Sequence, residues 1–543
     1  MVVNNEKKNN VEPPFTIENN VLKGKVVKND GPLVNPAKLL FDILRNNPDV
    51  ISQVDGLTGT EDTFSAIRDR AVKCALWLQK QGIGKGDIIA ISTHNHLNTS
   101  IPFLAGMFLG AIVNPWDSEM NIQSGRHMMT LTLPKVIFAN EKSAAVALEV
   151  AKIELFHTKI VCFGYYPGTT PFVDVLKDHQ ESSVANFKCA EIDDFEDTSL
   201  LLFSSGTTGP SKAVQLSHRS LANVLMSDYE MNSHVAMSFS TLYWISGVLL
   251  TIKSIHSCMK RIIPPEFEPK VACELMEKYK VSWVLLSTSI ANRLIRYGHL
   301  QDYDLSNLKV VVIGGAILKK ESEDVLRKHL PHTMIIQAYG MTELGGLVTK
   351  QVPGATIGSC GIPTENSEIK VVDIETGKTL GPNQPGEVYT KTWTMTTGYY
   401  KNPEETKRSI DEDGWVHTGD LAYYNEKGEF FILDRVKELI KYRGYQISPS
   451  EIEALLQSHP AVLEAAVIGV PHPTDDEHPI AFVSKIPNKE VSAEELIKLV
   501  EINMTDYNKL RAGVKFLPNL PHTNSGKIAR KELRAMAKKY AIN

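Results

Sequence analysis

The stretch LLLFSSGTTGPSKAVQLSHRS, residues 200–220, sets an apolar run ahead of small hydroxyl residues, glycines and a lysine. These are the parts of a phosphate grip. Glycines let backbone N–H groups converge on phosphate oxygens without Cβ clashes. Ser204, Ser205, Thr207 and Thr208 add four hydroxyl donors around Gly206 and Gly209, and Lys212 adds a positive charge that can follow a departing polyphosphate. Spacing excludes the loop of the P-loop nucleotide hydrolases, which needs a glycine directly before the lysine; Ser211 stands there. Two readings of these residues remain, another kind of phosphate site and a solvated turn between strands.

Further segments follow along the chain: GGA at 314–316, YGMTE at 339–343, TGD at 418–420, DRVKELIKYRGYQI at 434–447 and NSGKIARKEL at 524–533. Together with the glycine-rich stretch, in this order, they resemble the adenylate-forming superfamily of acyl-CoA synthetases, plant 4-coumarate–CoA ligases and beetle luciferases. The resemblance implies a two-step reaction. A carboxylate and Mg-ATP give an acyl-adenylate and pyrophosphate, and the acyl group then passes to the thiol of CoA. Its chemical logic is that a carboxylate is a poor electrophile until AMP supplies a leaving group, and that joining an anion to a polyanion requires gathered positive charge.

What the resemblance implies for single residues is specific. Lys527 matches the adenylation lysine, bridging the attacking carboxylate and the α-phosphate, while neighbouring Arg530 and Lys531 read as surface charges. Asp420 matches the carboxylate that accepts from both ribose hydroxyls, its alternative being a turn cap after Gly419. Arg435 is similar to the ribose-side arginine. Tyr339 offers an aromatic face for adenine, with Gly314, Gly315, Ala316 and Gly340 keeping the cleft open. Thr342 matches the α-phosphate contact, and Glu343 the carboxylate associated with Mg²⁺, a hard cation that one carboxylate and phosphate oxygens suffice to hold. Lys437 aligns with the hinge of a C-terminal domain that rotates between the two half-reactions. Lys441, Arg443 and Gly444 lie on the face presented in the second state, where glycine leaves room for a pantetheine arm; an exposed charged strand is the alternative there.

Two departures bear on the acid. In FSTLYWISGV, residues 239–248, Trp244 takes the place of a family histidine, with Tyr243 before it. An indole only donates, so chemistry that needs a ring nitrogen acceptor loses it. Val224 stands where bright luciferases carry an arginine. With Leu347 in the apolar run LGGLV, 344–348, and with Gly314 and Gly340, Tyr243 and Trp244 are expected to line an acyl pocket. The leading reading is therefore an AMP-forming fatty acyl-CoA synthetase for medium- or long-chain acids. A luciferase-type monooxygenase acting on luciferyl adenylate, a 4-coumarate-type aryl-CoA ligase and a catalytically silent binding protein are the alternatives.

The elements that must position these residues are legible in outline. Short apolar runs alternate with helical stretches up to about residue 430, the mark of α/β layers. KVVVIGGAIL, 309–318, reads as a buried strand entering a turn, followed by a helix at 319–330 and a strand into YGMTE. Near Asp434 the texture changes to a compact α+β unit with helix starts at Ser448, where Pro449 and Glu451 complete a capping box, and at Ser492 with Glu495. The expected fold is α/β plus α+β. Residues 1–434 form a large adenylation domain of layered α/β subdomains with, from the resemblance, a β-barrel-like subdomain, and residues 435–543 form a small mobile α+β domain.

Composition bounds the rest. With 543 residues the chain exceeds a single core. A formal net charge of −5 gives no reason to expect nucleic acid as a partner. No apolar run is long enough to span a membrane; IPFLAGMFLGAIVNPW, 101–116, reads as a buried helix and turn. Six scattered cysteines argue against disulfides and fit a reducing compartment. The polar start, without an apolar signal core, and an end lacking Ser-Lys-Leu make cytoplasm the expected location. Small-molecule acid, ATP and CoA are the expected partners, and the sequence is silent on oligomeric state.

Overall fold

The computed structural model describes residues 14–27, 31–177, 179–204, 211–227, 235–443, 445–523 and 527–540. Three sheets build a large N-terminal domain and a fourth builds a small C-terminal one. An eight-stranded sheet has Ile88–Ser92 near its centre, parallel to Ile112–Trp116 on one side and Val136–Ala139 on the other. Every residue of these three strands is buried, as both faces of a parallel sheet must be when helices cover them. The helix Ser100–Phe108 is buried all round. Beyond it the expected turn is instead the strand Ile112–Trp116, in which Pro115 stands opposite Ile91 at a position that forfeits a ladder bond. Buried Asn114 donates to Leu201 O at 2.9 Å and accepts from Trp116 Nε1 at 2.6 Å, so a polar side chain inside the sheet is satisfied.

A nine-stranded sheet holds the strand–helix–strand unit read from the sequence: Val310–Gly314, Lys320–His329 and Met334–Met341. The two strands run parallel, Ile313 opposite Gln337, so their C-terminal ends open side by side. Antiparallel strands make the third sheet, six across, from Phe15–Glu18 to Phe430–Arg435. It curls until its two ends meet: a Cβ on Gly428 would lie 2.4 Å from the Phe15 ring. The sheet stays open, with no ladder joining the two edge strands among the described residues.

The small domain packs Pro449–Gln457 and Ala493–Asn503 on a five-stranded sheet whose long hairpin pairs Val462–His472 with Asp476–Lys485. Ser492 and Glu495 form the expected capping box. The one expected at Ser448 and Glu451 does not form, although Pro449 does open the helix. Asp434, at the end of the curled sheet, takes that role. Its Oδ2 accepts from Ser450 N at 3.0 Å and from Ser448 Oγ at 2.9 Å. A full carboxylate facing a helix N-terminus outcompetes a hydroxyl for those N–H groups. All six cysteines are free. Among the described residues, no helix is long and apolar enough to cross a membrane.

Candidate active site

The site begins with strand alternation. Along Val416–Tyr424 every second side chain is buried, and Asp420 falls on the buried face among apolar neighbours. Gly419, at φ 68°, sits where the ladder to Gly386–Thr392 shifts register, and its N–H donates to Glu387 Oε1 at 3.0 Å. Asp420 is thus a strand residue and not the turn cap. Directly across the ladder is Arg435, whose Nε lies 2.8 Å from Asp420 Oδ1 and whose Nη1 donates to Thr418 O at 3.1 Å. Tyr339 donates its hydroxyl to Asp420 Oδ2 at 2.6 Å.

These contacts set the charges. Burial pushes the Asp420 carboxyl above its ordinary value, while Arg435, the Tyr339 hydroxyl and Lys527 act to keep it ionised. For Arg435, burial works against the charge, and Asp420, Tyr339, Glu343 and Glu438 together outweigh it, leaving the guanidinium firmer than usual. Arginine does not surrender its proton at neutral pH, so Asp420 faces a fixed positive charge. Burial, then Asp420, drives the Tyr339 phenol well up, so it remains a neutral donor.

Lys527 reaches this cluster from the C-terminal domain. Desolvation lowers its pKa most, repulsion from Arg435 adds to that, and Asp420 opposes both. The residue as a whole keeps an exposed surface. Lys441, by contrast, is exposed on Ile440–Tyr442 between buried neighbours, with its backbone N–H given to Glu477 at 3.0 Å. Arg443 is turned to Asp475, 2.7 Å from Nε to Oδ1. Lys437 lies in the short turn Val436–Glu438 that joins the curled sheet to the small domain. Arg530 is no surface charge: it is largely buried against Glu453 at 2.8 Å and donates to Val467 O.

A second group lies beside the first. Glu343 is buried in the turn Thr342–Leu344 after Met334–Met341, and its Oε1 accepts from the Tyr399 hydroxyl at 2.9 Å. Lys212 sits over the Tyr399 ring at 5.1 Å and forms an ion pair with Glu405, so its charge is already matched. Glu405 follows Asn402, which caps the helix Pro403–Ser409, and Lys212 holds its carboxyl below the ordinary range. Tyr399 and Glu405 were not anticipated; the clue was YYKNPEE, a cap-and-proline helix start. Ser204 ends its strand, and the expectations for Ser205, Gly206, Thr207, Thr208, Gly209 and Gly444 fall outside the described residues.

Gly314 ends its strand against Ala338, and Thr288 donates its Oγ1 hydroxyl to Ala316 O at 2.8 Å. Gly340 pairs with Leu347, and a Cβ there would lie 2.1 Å from Gly346 O, so only glycine permits this approach. Tyr243 and Trp244 are half-buried and meet edge to face at 4.8 Å, ahead of the helix Ile245–His256. Burial raises the Tyr243 phenol to about 12. Of the apolar run after YGMTE, Leu344 and Val348 are fully buried core, leaving Leu347 partly exposed. Val224 is likewise core: with Leu221 and Leu225 it forms the inner stripe of His218–Met226.

Sequence and structure comparisons find relatives over most of the chain. The AMP-binding enzyme family matches residues 41–400, and the AMP-binding enzyme C-terminal domain matches 451–527. A 4-coumarate–CoA ligase of Arabidopsis thaliana is 31% identical, over 89% of this chain and 87% of its own. A luciferin 4-monooxygenase of Photuris pensylvanica is 32% identical, over 85% and 87%. The solved luciferase-like enzyme of the nonluminescent mealworm Zophobas morio superposes with a TM-score of 0.72 at 28% identity, covering 77% of this chain and all of that one.

Proposed function

Because the chain belongs to the AMP-binding enzymes, the adenylate-forming superfamily, we propose that it activates an apolar carboxylic acid as its acyl-adenylate and transfers the acyl group to CoA. The observation that carries this reading is the cluster of Asp420, Arg435, Tyr339 and Lys527, drawn from both domains. A carboxylate offers about four lone-pair sites. Arg435 and Tyr339 take one on each oxygen of Asp420, and the remaining two suit the cis-diol of a ribose. Lys527, positive and beside this anchor, is suited to the carboxylate and α-phosphate as charge redistributes between them. Thr342 stands at the phosphate side. Glu343 offers hard oxygen to the Mg²⁺ that accompanies ATP, with Tyr399 fixing its orientation.

For the acid, the half-buried Tyr243–Trp244 pair and the Gly340–Leu347 lining support a fatty acid of medium or long chain. A planar aromatic acid is the second reading, favoured by the 4-coumarate–CoA ligase relatives. Pyrophosphate release with Mg-ATP across fatty and cinnamic acids, with and without CoA, decides between them. Turnover rising with chain length and yielding acyl-CoA carries the first reading; turnover confined to cinnamic acids replaces it with the second.

The turn Val436–Glu438 is proposed as the pivot between the half-reactions, with Lys441 and Gly444 brought to the thiol afterwards. Proline tolerates the backbone of a short 3₁₀ turn but restricts its alternatives. A penalty of about 1.4 kcal/mol on the second orientation alone slows that step roughly tenfold. Lys437→Pro is therefore expected to retain most adenylation and to lose thioester formation about tenfold, measured separately by pyrophosphate release and by transfer from preformed acyl-adenylate. Equal losses in both steps would remove the pivot from this turn.

A further inference from the structure

Far along the C-terminal domain, the hairpin of Val462–His472 and Asp476–Lys485 carries a group of residues that the adenylation chemistry does not use. Its register sets Val470 opposite His478 and His472 opposite Asp476, so the two histidines are diagonal neighbours on one face. Their rings stack with centroids 3.8 Å apart and planes 16° from parallel. Asp475, in the turn between them, points Oδ2 at both: 2.8 Å from His478 Nε2 and 3.5 Å from His472 Nδ1. These three ligand atoms all lie within 4.8 Å of one another. Asp475 and His478 are largely buried and His472 partly so.

The geometry points to a divalent transition-metal site formed by His472, Asp475 and His478, of the kind that takes Zn²⁺ or Co²⁺. Two imidazole nitrogens and one carboxylate oxygen are borderline ligands that suit these ions better than Mg²⁺ or Ca²⁺. Metal–ligand bonds of about 2.0–2.1 Å in tetrahedral array place ligand atoms roughly 3.3 Å apart. The two separations to Asp475 bracket that value; the stacked rings must splay for their in-plane lone pairs to converge on one ion. Arg443 occupies Oδ1 and thereby fixes the carboxylate with Oδ2 turned inward, the orienting role that outer neighbours play at metal sites. Three protein ligands leave a fourth position for water. The sequence spacing is His-x₂-Asp-x₂-His, and only the hairpin makes it converge.

The test uses the full chain, stripped with a chelator and titrated with Co²⁺ under visible absorption, then with Zn²⁺ by calorimetry. One equivalent of each ion is expected to bind, and Zn²⁺ should displace Co²⁺. His472→Ala and His478→Gln should each weaken binding about 100-fold or more, while acid-dependent pyrophosphate release stays at the wild-type rate and reports that each variant is folded. Absence of stoichiometric binding in the wild-type chain overturns the site. So does binding that survives both substitutions, since the ion would then belong to cysteines or to Glu343.

Discussion

Lys527→Ala is expected to lower the rate of acyl-adenylate formation by about 10²–10³-fold, the usual cost of removing a preorganised electrostatic contact at a developing charge. Transfer from preformed acyl-adenylate to CoA should be little affected, because only the first step joins two anions. The surroundings of the ammonium add a second signature. Desolvation and Arg435 both lower its pKa, and Asp420 offsets them only in part. A lysine that must be protonated to act loses activity as pH rises through its pKa. The alkaline limb of adenylation should therefore lie below that of an ordinary lysine, and Lys527→Arg should remove the limb while restoring part of the rate. Stopped-flow pyrophosphate release over pH measures both. An unchanged rate in Lys527→Ala would take the lysine out of the reaction.

Asp420→Ala should act chiefly on ATP. Hydrogen bonds to a charged acceptor contribute about 1.5–3 kcal/mol each. Losing two to a ribose therefore raises the KM for ATP by roughly 10²–10⁴-fold, with the KM for the acid nearly unchanged. The protein should also lose stability, because a buried partner is removed from Arg435 and from Tyr339. Breaking a fully buried pair costs about 3–5 kcal/mol. Here the Arg435 side chain keeps 43% of its surface in solvent, which places the loss below that range. Asp420→Asn keeps one acceptor oxygen and should fall between, so ATP titrations and thermal melts of the two variants separate binding from stability. An ATP KM that does not change in Asp420→Ala would leave Asp420 as a structural anchor for Arg435.

The chemistry-bearing positions were legible because their motifs are local and ordered: Asp420, Arg435, Tyr339 and Lys527 could all be named from short segments. Their mutual contacts were not legible, since Tyr339 and Asp420 are brought together by two different sheets. The strand–helix–strand unit at 310–341 was readable from clean periodicity. The strand holding Pro115 was not, because its local residues argue for a turn and burial overrides them. Lys212 looked free for phosphate, yet its partner Glu405 lies 193 residues away. Val224 was placed by motif spacing at a luciferase arginine position, and the helical stripe of Leu221, Val224 and Leu225 puts it in the core. Long-range pairing of charges is the information that a linear reading lacks.

The cap that Asp434 supplies to the helix Pro449–Gln457 spans the joint between the domains. Most helices carry their own cap and take it with them; this one borrows it from the neighbouring body. Any swing of the small domain that parts Ser450 from Asp434 frays that helix, and a lost cap is worth about 1 kcal/mol. Orientation is thereby written into the local unfolding of one helical turn. If the small domain pivots as proposed, the amide protons of that turn become a clock for how often the joint lets go.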